Sequence, residues 1–412
     1  MNENPNRNGL VVVLNSAIAL GFLQGQLEYF KKNGFDVTVL CPERRREEWE
    51  VARPTGIPII HVPMERAISP LKDIISLWLL WRAMRRLSPA ITNVGTPKAG
   101  LLGGFAAWLN RVPCRFYTLH GLRFETSKGW KRRILVYAER LACRFAHRVV
   151  CVSPSVREGA IACGLTSRER TIVLGSGSCN GIDASRFAPT AEMQKRAADL
   201  RRHLNIPKNA TAAIFVGRLT KDKGVPELID AFLRIEKRFA DFHLVLAGCF
   251  ENEDPLPART RRSLQSHPRI IFIGAVEDTP AYYAMADIVV LPSHREGLPT
   301  VVLEAQAAGK PVIGASATGI VDVITHGVTG LLFPVGDVWA LAKALTTLIN
   351  DQVMATRLGL AGQQQVRRNY QQLQVWSALH REYSAVLESK KGEPSRQPLT
   401  GRRSGLVPGS SE

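Results

Sequence analysis

A repeated alternation of short apolar runs with longer amphipathic segments constrains the fold of this chain more than any other feature. The apolar runs predict β-strands, and the amphipathic segments predict helices that join them. Parallel neighbouring strands need such crossover connections, so the pattern predicts parallel α/β sheets. In the first half of the chain the predicted strands cover residues 10–14, 36–40, 57–62, 90–93, 114–119, 149–152 and 171–174.

The alternation stops at residues 191–210 and begins again at Thr211. The interruption is polar, rich in Lys, Arg and Asn, and contains Pro207, so we expect a linker there. A second series of predicted strands follows at 212–216, 243–246, 270–273, 288–291, 312–313 and 330–333. Because the 412 residues exceed the roughly 250–300 at which one hydrophobic core stops growing, we expect two Rossmann-like lobes.

These boundaries divide the chain into an amino-terminal lobe (1–190), a linker (191–210) and a carboxy-terminal lobe (211–370). Residues 371–388 continue a helical pattern and predict a carboxy-terminal helix. Residues 389–412 are rich in Pro, Gly, Ser and Arg and contain few aromatic or branched side chains, which is typical of a disordered tail.

Cysteine usage and the apolar runs indicate the compartment. The seven cysteines are scattered without a C-x-x-C pair, which argues against a disulfide framework or a zinc site and favours a reducing compartment. Residues 10–23 are better explained by a buried first strand than by a secretory leader, because they continue past the small-residue triplet at 17–19. The best candidate for a membrane span, residues 74–84, is interrupted by arginine, so we expect no spanning helix and a cytoplasmic protein.

The net charge of +18 is concentrated in the first lobe, where residues 1–190 contain 27 Lys and Arg against 14 Asp and Glu. Nucleic acid, an anionic lipid surface or a phosphorylated substrate would each match this charge. Charge alone does not distinguish among these partners.

Residues 217–224 (GRLTKDKG) directly follow the first predicted strand of the second lobe and precede a helix. In an open parallel sheet, ligands bind beyond the carboxyl ends of the strands. Arg218 and Lys223 would point into this crevice, where free helix amides also favour a phosphate. The loop therefore predicts a diphosphate site, although an isolated pair of cations at this spacing is more often a solvated basic turn.

Residues 292–304 (PSHREGLPTVVLE) follow the predicted strand at 288–291 and enter a helix. Gly297 and Leu298 would leave backbone amides free to face a phosphate near the helix start. Glu296 lies in the loop and Glu304 inside the helix. Two glutamates at this spacing are common by themselves, as a cap and a surface carboxylate. The basic loop at a comparable place in the same lobe favours a shared site.

With these two loops the chain resembles glycosyltransferase family 4, whose donor lobe carries a G-R-x-x-x-x-K-G loop followed by two glutamates eight positions apart. The resemblance extends from the first strand to about Leu387. It implies the GT-B fold, an α/β architecture in which two Rossmann-like lobes with parallel sheets face each other across a cleft. It also implies that Arg218 and Lys223 bind the donor diphosphate, that Glu296 contacts the transferred sugar, and that Glu304 holds the ribose hydroxyls.

Two loops of the first lobe extend the resemblance. His120 follows the strand at 114–119 and is expected to contact the donor sugar as a hydroxyl ligand rather than as a general base. A lone histidine at a strand end is otherwise more often structural. Gly21 and Gly25, in residues 21–26 (GFLQGQ), resemble the glycine loop that lets the donor phosphate and the acceptor approach closely. The loop departs from G-x-G-x-x-G, which disfavours a dinucleotide-binding oxidoreductase.

No D-x-D motif occurs in the sequence, so the usual carboxylate pair for a nucleotide-bound divalent cation is missing. Arg218, Lys223 and helix amides would then neutralise the leaving group. We therefore expect metal-independent catalysis without a cofactor, and a nucleotide-sugar donor that is UDP-linked. The resemblance implies front-face attack with retention of the anomeric configuration.

Residues 128–148 hold seven Lys and Arg against one acid, Glu139, interleaved with aromatic and aliphatic residues. A basic amphipathic helix of this kind suits an anionic membrane face, whereas a core-packing helix with a solvated basic side is the alternative. Similarity to bacterial surface-polysaccharide enzymes implies an acceptor saccharide linked to polyprenyl diphosphate. We expect a peripheral protein on the inner face of the cell membrane, with no nucleic-acid partner.

We interpret the sequence as a retaining hexosyl- or N-acetylhexosaminyltransferase of capsule or lipopolysaccharide O-antigen synthesis. A GT-B sugar-nucleotide epimerase, which needs no acceptor, is one alternative. A non-catalytic nucleotide-sugar-binding assembly protein is another. The presence of both glutamates and His120 favours catalysis over either alternative.

Overall fold

A computed structural model describes residues 6–43, 55–65, 69–251 and 254–391. Within these residues, thirteen β-strands form two parallel sheets. Each apolar run that the sequence predicts as a strand is a strand, with small shifts at the ends. The α/β fold class and the two Rossmann-like lobes are therefore confirmed.

The amino-terminal lobe contains one sheet with helices on both faces. Its strands are β1 (Asn6–Val13), β2 (Asp36–Cys41), β3 (Ile59–His61), β4 (Pro89–Gly95), β5 (Cys114–Leu119), β6 (Arg148–Cys151) and β7 (Thr171–Val173). Its helices are α1 (Gln26–Lys32), α2 (Pro70–Leu87), α3 (Pro97–Leu109), α4 (Gly129–Phe145) and α5 (Pro154–Ala162). The strand order is β3-β2-β1-β4-β5-β6-β7, so the winding reverses between β1 and β4. Ligands of open sheets bind at such a switch point.

The carboxy-terminal lobe repeats this architecture. Its strands are β8 (Thr211–Val216), β9 (Phe242–Ala247), β10 (Ile270–Gly274), β11 (Ile288–Leu291), β12 (Val312–Ala315) and β13 (Leu331–Phe333). The helices from this point of the chain are α6 (Ala191–His203), α7 (Val225–Ile235), α8 (Ala258–Ser266), α9 (Pro280–Met285), α10 (Thr300–Ala307), α11 (Val338–Asn350), α12 (Gln352–Asn369) and α13 (Gln372–Lys391). The order β10-β9-β8-β11-β12-β13 puts the second switch point between β8 and β11.

Local sequence explains why these elements form. The central strands are apolar on both faces, and β4 is buried along its whole length, as expected for a parallel sheet covered by helices on both sides. Helix α7 turns Leu228, Ile229 and Phe232 to the core at helical spacing. Helix α5 begins after Ser153, whose side chain accepts a hydrogen bond from the Val156 amide and so caps the first turn.

The segment 191–210, which the sequence predicts as a linker, consists mainly of helix α6. Thr190 caps this helix by accepting a hydrogen bond from the Met193 amide at 3.1 Å. Ala197 is buried in the core of the carboxy lobe, and Arg201 donates to the Met285 carbonyl at 2.8 Å. The polar residues of this segment therefore form the outer side of a packed helix, and the expectation of a linker is wrong over α6.

The carboxy-terminal helix predicted over 371–388 is present as α13, and it packs on the amino lobe. Trp376, Leu379 and Tyr383 are buried in one apolar cluster with Phe116 of β5. Residues 389–391, at the start of the predicted tail, still belong to α13. Residues 392–412 lie outside the described part of the chain.

Helices α2, α3 and α4 form one layer on the amino-lobe sheet. Successive connections from β3 through β4 and β5 to β6 step in the same direction, and right-handed crossovers then place their helices on the same face. Helices α2 and α4 both pack against α3, while α1 and α13 pack together in the cluster on the other face. In the described residues, no helix has the length and apolar character needed to span a membrane.

Candidate active site

The two predicted donor loops lie side by side because they follow β8 and β11, the strands that flank the switch point of the second sheet. The amide of His294 donates to the carbonyl of Asp222 at 2.9 Å, which joins the loops. Gly224 has a φ of +69°, and a Cβ at this residue would lie 2.1 Å from the Pro292 carbonyl oxygen. The close approach of the two loops therefore requires glycine at position 224.

Lys223 and Glu296 form an ion pair across these loops. The Lys223 Nζ donates to the Glu296 Oε1 at 2.5 Å, and the side chains are 16% and 14% exposed. The structure thus brings together a cation and a carboxylate that the sequence assigns to one donor site. The pairing places both at the floor of the cleft, at the switch point.

Arg218 lies at the end of β8, and its guanidinium donates to the Glu251 Oε2 at 2.5 Å. Its side chain is 47% exposed, so the cation remains accessible to solvent. The sequence analysis did not identify Glu251. Glu251 follows β9, the next strand of the sheet, so it lies at a strand end, where ligands of open sheets bind.

Arg295 is a further cation at the same place and was also missed. Its Nη2 lies 3.3 Å from the Asp222 Oδ2, and its Nε donates to the Thr126 Oγ1 of the amino lobe at 3.0 Å. Burial lowers the pKa of Arg295. Burial would raise the pKa of Asp222, but the hydrogen bond from Thr220 and the neighbouring cations outweigh it and lower the pKa. Arg295 therefore joins the basic loop to the opposite lobe.

Glu304 is half-buried on α10. Its Oε2 accepts a hydrogen bond from the Tyr283 hydroxyl at 2.9 Å and a longer one from the Thr279 hydroxyl at 3.4 Å. Burial raises the pKa of Glu304, and the bond from Tyr283 opposes that rise. These contacts fix the orientation of the carboxylate. Its predicted bond to ribose hydroxyls stays a prediction.

Gly297 and Leu298 touch the amino lobe. A Cβ on Gly297 would lie 1.9 Å from the His120 carbonyl oxygen, so the backbones of the lobes meet directly here. Leu298 packs against the apolar clusters of both lobes. Within the described residues, the Gly297 and Leu298 amides donate to no protein group. Gly297 and Leu298 therefore form part of the contact between the lobes, and their amides remain candidate donors to a phosphate.

His120 is half-buried at the carboxyl end of β5, on the amino-lobe side of the cleft. Desolvation lowers its pKa from 6.5 to about 4, so the imidazole is neutral at physiological pH. A Cβ on Gly95 would lie 3.1 Å from its Nε2, so glycine at the end of β4 makes room for the ring. A neutral imidazole can bind hydroxyls, as predicted, without carrying a charge.

A cavity opens beside His120 at the carboxyl ends of β1, β4 and β5. Thr118 donates from its Oγ1 to the Asn93 Oδ1 at 2.9 Å, and the Asn93 Nδ2 donates to the Tyr383 hydroxyl at 2.6 Å. The lining thus combines residues of the amino lobe with a tyrosine of α13. The sequence offered no signal for Tyr383, because only the folded chain returns α13 to this lobe.

Gly21 lies in a short 3-10 helix (Ala17–Leu23), and Gly25 is the residue directly before α1. Gly21 is exposed, and Gly25 has a φ of +79°. A Cβ on Gly25 would lie 2.7 Å from the Trp376 ring, so the packing of α13 requires glycine there. The predicted approach of a donor phosphate to this loop stays a prediction.

Polar contacts also join the lobes farther along the cleft. The Ser155 hydroxyl at the start of α5 donates to the Asp322 carboxylate, and its oxygen accepts from the Gly319 amide at 2.7 Å. The Thr318 hydroxyl donates to the Glu125 Oε1 at 2.9 Å. The lobes therefore face each other in a closed arrangement held by side chains from both.

Two family models match the chain, one in each lobe. The model described as "Glycosyl transferase 4-like domain" matches residues 22–177, and the model described as "Glycosyl transferases group 1" matches residues 197–365. The chain is 32% identical over 384 residues to the capsular polysaccharide biosynthesis glycosyltransferase CapM of Staphylococcus aureus, a match that covers 93% of this chain and 98% of the relative.

Other known proteins resemble the chain over both lobes. A UDP-Gal:alpha-D-GlcNAc-diphosphoundecaprenol alpha-1,3-galactosyltransferase of Escherichia coli is 27% identical, over 80% of this chain and 84% of the relative. The crystal structure of Anabaena HepE in complex with UDP-glucose has a TM-score of 0.76 at 21% identity and covers 92% of this chain and 99% of that one. The structural likeness shows a shared fold.

Proposed function

Because this chain belongs to glycosyltransferase family 4, in its bacterial surface-polysaccharide group, we propose that it transfers a sugar from UDP to a lipid-linked saccharide with retention of configuration. Its GT-B fold and its glycosyltransferase class follow from the family. The nucleotide, the stereochemistry and the acceptor are the proposed part.

The observation that carries this proposal is the convergence of the two loops at the second switch point. Lys223 is paired with Glu296, Arg218 lies near enough to Asp222 of the same loop to lower its pKa, and Gly297 brings this loop pair against His120 of the other lobe. A nucleotide-sugar is an anion joined to a polyhydroxyl ring, so it needs cations on one side and hydroxyl acceptors on the other.

The residues then have separate roles in the reaction. As the bond from the anomeric carbon to the diphosphate oxygen breaks, Arg218 and Lys223 neutralise the growing negative charge. Lys223 would exchange part of its bond to Glu296 for a bond to the diphosphate, which frees Glu296 to contact the sugar. The acceptor hydroxyl attacks the same face of the ring, and its proton passes to the departing diphosphate. No residue of the chain needs to act as a nucleophile.

Two relatives support a UDP-linked donor and a lipid-linked acceptor. The name of the Escherichia coli relative specifies UDP-galactose and an undecaprenol diphosphate saccharide. The Anabaena neighbour holds UDP-glucose in a fold with the same two lobes. A lipid-linked acceptor places the reaction at a membrane, and we propose the inner face of the cell membrane. The basic residues of α4 support this location because its one acid, Glu139, is buried and accepts a hydrogen bond from Tyr117.

Transfer without a metal ion is also part of the proposal. The two loop cations supply the positive charge that a divalent ion provides in other nucleotide-sugar enzymes. Turnover in excess chelator should equal turnover in magnesium within about twofold, since the charge is fixed in the protein. Complete loss in chelator with recovery on adding magnesium or manganese would contradict this part alone.

The test of the function is a donor panel with the purified enzyme. UDP-, GDP- and dTDP-sugars are each incubated with a synthetic polyprenyl-diphosphate saccharide, and products are identified by mass spectrometry and by the anomeric coupling constant. We expect an acceptor-dependent product from a UDP-sugar with the donor's anomeric configuration. An altered sugar nucleotide formed without acceptor would indicate an epimerase. Binding of donor without any product would indicate a non-catalytic assembly protein.

A further inference from the structure

The outer side of α2 carries an unpartnered apolar stripe. Leu71, Ile74, Ile75 and Trp78 are 80%, 64%, 55% and 51% exposed, and their spacing of three and four residues puts them on one side of the helix. Ser76, Leu80 and Met84 face the core on the opposite side. Single exposed apolar side chains are ordinary, but a contiguous group marks an interaction surface.

The same side of α2 becomes basic in its second half. Arg82, Arg85 and Arg86 are exposed, and the Arg82 guanidinium lies 5.5 Å from the centroid of the Trp78 ring. The one acid of this helix, Asp73, turns toward α3, where its carboxylate lies 2.6 Å from the Lys98 ammonium. The outward surface of α2 is therefore apolar at one end and positively charged at the other.

Helix α4 presents a similar outer side in the same layer. Trp130, Ile134 and Tyr137 are exposed beside Arg133 and Arg140. Across α2, α3 and α4 the sequence contains ten Lys and Arg against two acids, and both acids turn inward. Lys72 is paired with Glu65 and Lys98 with Asp73, so the excess of positive charge comes from the other Lys and Arg of these helices. An anionic surface is the partner that matches this combination of exposed indoles, aliphatic side chains and excess positive charge.

The stripe lies at the cleft end of this layer. Crossover helices run antiparallel to the strands, so the first turns of α2 and α4 lie near the carboxyl ends of the strands. His120 and the adjoining cavity lie at those same strand ends. A surface that docks through the stripe would therefore lie beside the mouth of the cleft.

We propose that the α2 stripe inserts into the headgroup region of an anionic bilayer, with the arginines of α2 and the basic side of α4 binding lipid phosphates. The proposal rests on the proposed membrane location and assigns the surface that produces it. Insertion at this end of the layer turns the cleft toward the bilayer, where a diphosphate-linked acceptor can enter without leaving the membrane.

Vesicle sedimentation tests the proposal without any catalytic step. The triple variant Leu71→Gln, Ile75→Gln, Trp78→Gln removes the stripe, and Val353→Gln, Leu360→Gln, Leu373→Gln removes three exposed apolar side chains elsewhere. On vesicles that mix phosphatidylcholine with phosphatidylglycerol, the stripe variant should bind about 10-fold or more weakly than wild type, and the control within about twofold. Circular dichroism and melting temperature confirm that both variants are folded.

The outcomes separate this inference from the proposed function. Wild-type binding that survives loss of the stripe would overturn the inference and leave the membrane location standing. If the wild-type protein did not bind these vesicles, both the inference and the proposed membrane location would be overturned. A concentration-dependent dimer that the stripe variant loses, seen by sedimentation velocity without lipid, would assign the stripe to a second copy of the chain and overturn the inference.

Tryptophan quenching gives a second and more local readout. Lipids brominated on their acyl chains should quench Trp78, so Trp78→Phe should lose quenchable fluorescence while it still binds. Trp339→Phe is the matched control, because Trp339 is 69% exposed on the carboxy lobe. Equal quenching in wild type and Trp78→Phe would contradict insertion of the stripe.

Discussion

The two halves of the cleft use different chemistry. The carboxy-lobe half contains paired charges, with Arg218 on Glu251 and Lys223 on Glu296. The amino-lobe half presents a neutral His120 beside a small cavity whose lining is mainly apolar, with Asn93, Thr118 and Tyr383 among its polar groups. Fixed charges suit an anionic leaving group, and neutral hydrogen-bonding groups suit sugar hydroxyls. Substitutions in the two halves should therefore fail in different ways.

Loss of a loop cation should produce the largest effect. Lys223→Ala removes a mostly buried charge that we propose to neutralise the leaving group, and loss of one such preorganised partner typically lowers kcat by about 10²–10³-fold. Lys221→Ala is the matched control, because Lys221 is an exposed cation of the same loop. Turnover and melting temperature are measured together. Near-normal turnover in Lys223→Ala would show that the charged half of the cleft does not stabilise the leaving group.

Separating the two halves should have the next largest effect. Gly297→Ala places a methyl group where the His120 carbonyl oxygen lies, so the lobes must move apart. We expect kcat/KM to fall by about 10–100-fold, because small misplacements of reacting groups are costly. Gly104→Ala adds a methyl at an ordinary contact distance inside α3 and should stay active. An active Gly297→Ala enzyme would show that the reaction does not need the contact between the lobes.

The two glutamates should separate binding from catalysis within the charged half. If Glu304 binds the ribose as proposed, Glu304→Gln weakens an interaction that is equal in ground and transition states, so donor KM should rise by about 10-fold with kcat little changed. Glu296→Gln should instead lower kcat, because a carboxylate near the reacting ring stabilises positive charge that appears in the transition state. Donor-dependent kinetics at saturating acceptor distinguish the two. The reverse pattern would exchange the assigned roles.

His120 of the neutral half should make the stability of the protein depend on pH. His120 has an ordinary pKa of 6.5 that desolvation lowers to about 4 in the folded protein. Between pH 6.5 and about 4, the unfolded chain therefore binds a proton at this histidine more readily than the folded chain does. The free energy of unfolding is thus highest above pH 6.5 as far as His120 is concerned, and it falls as the pH drops toward 4. As the pH falls through this range, the melting temperature of wild type should decrease more than that of His120→Gln. A constant difference between the two would contradict a desolvated imidazole.

Residues that follow strands could be predicted from the sequence, and those placed by distant packing could not. Arg218, Lys223 and Glu296 lie in short loops after β8 and β11, and parallel strands bring such loops to one edge of a sheet. Arg295 lies in the same loop as Glu296, but its partner Thr126 belongs to the other lobe. No local sequence pattern indicates the contact between Arg295 and Thr126.

The features that the sequence does not predict share one physical cause, which is packing against distant parts of the chain. The polar outer side of α6 predicts a linker, whereas its buried Ala197 and its bond from Arg201 to Met285 depend on a partner helix far along the chain. Tyr383 reaches Asn93 because α13 returns to the amino lobe. Sequence periodicity predicts that these helices exist, but it does not predict the surface on which they pack.

Calorimetric titration of UDP tests the central claim, that the carboxy lobe holds the nucleotide diphosphate while His120 of the amino lobe contacts only the transferred sugar. UDP lacks the transferred sugar, so its binding should depend on the carboxy-lobe residues and not on His120. Lys223→Ala and Glu304→Gln should each raise the Kd for UDP by about 10-fold or more, and His120→Gln should leave it within about twofold of wild type. Unchanged UDP affinity in both carboxy-lobe variants, or its loss in His120→Gln, would contradict this division of the cleft.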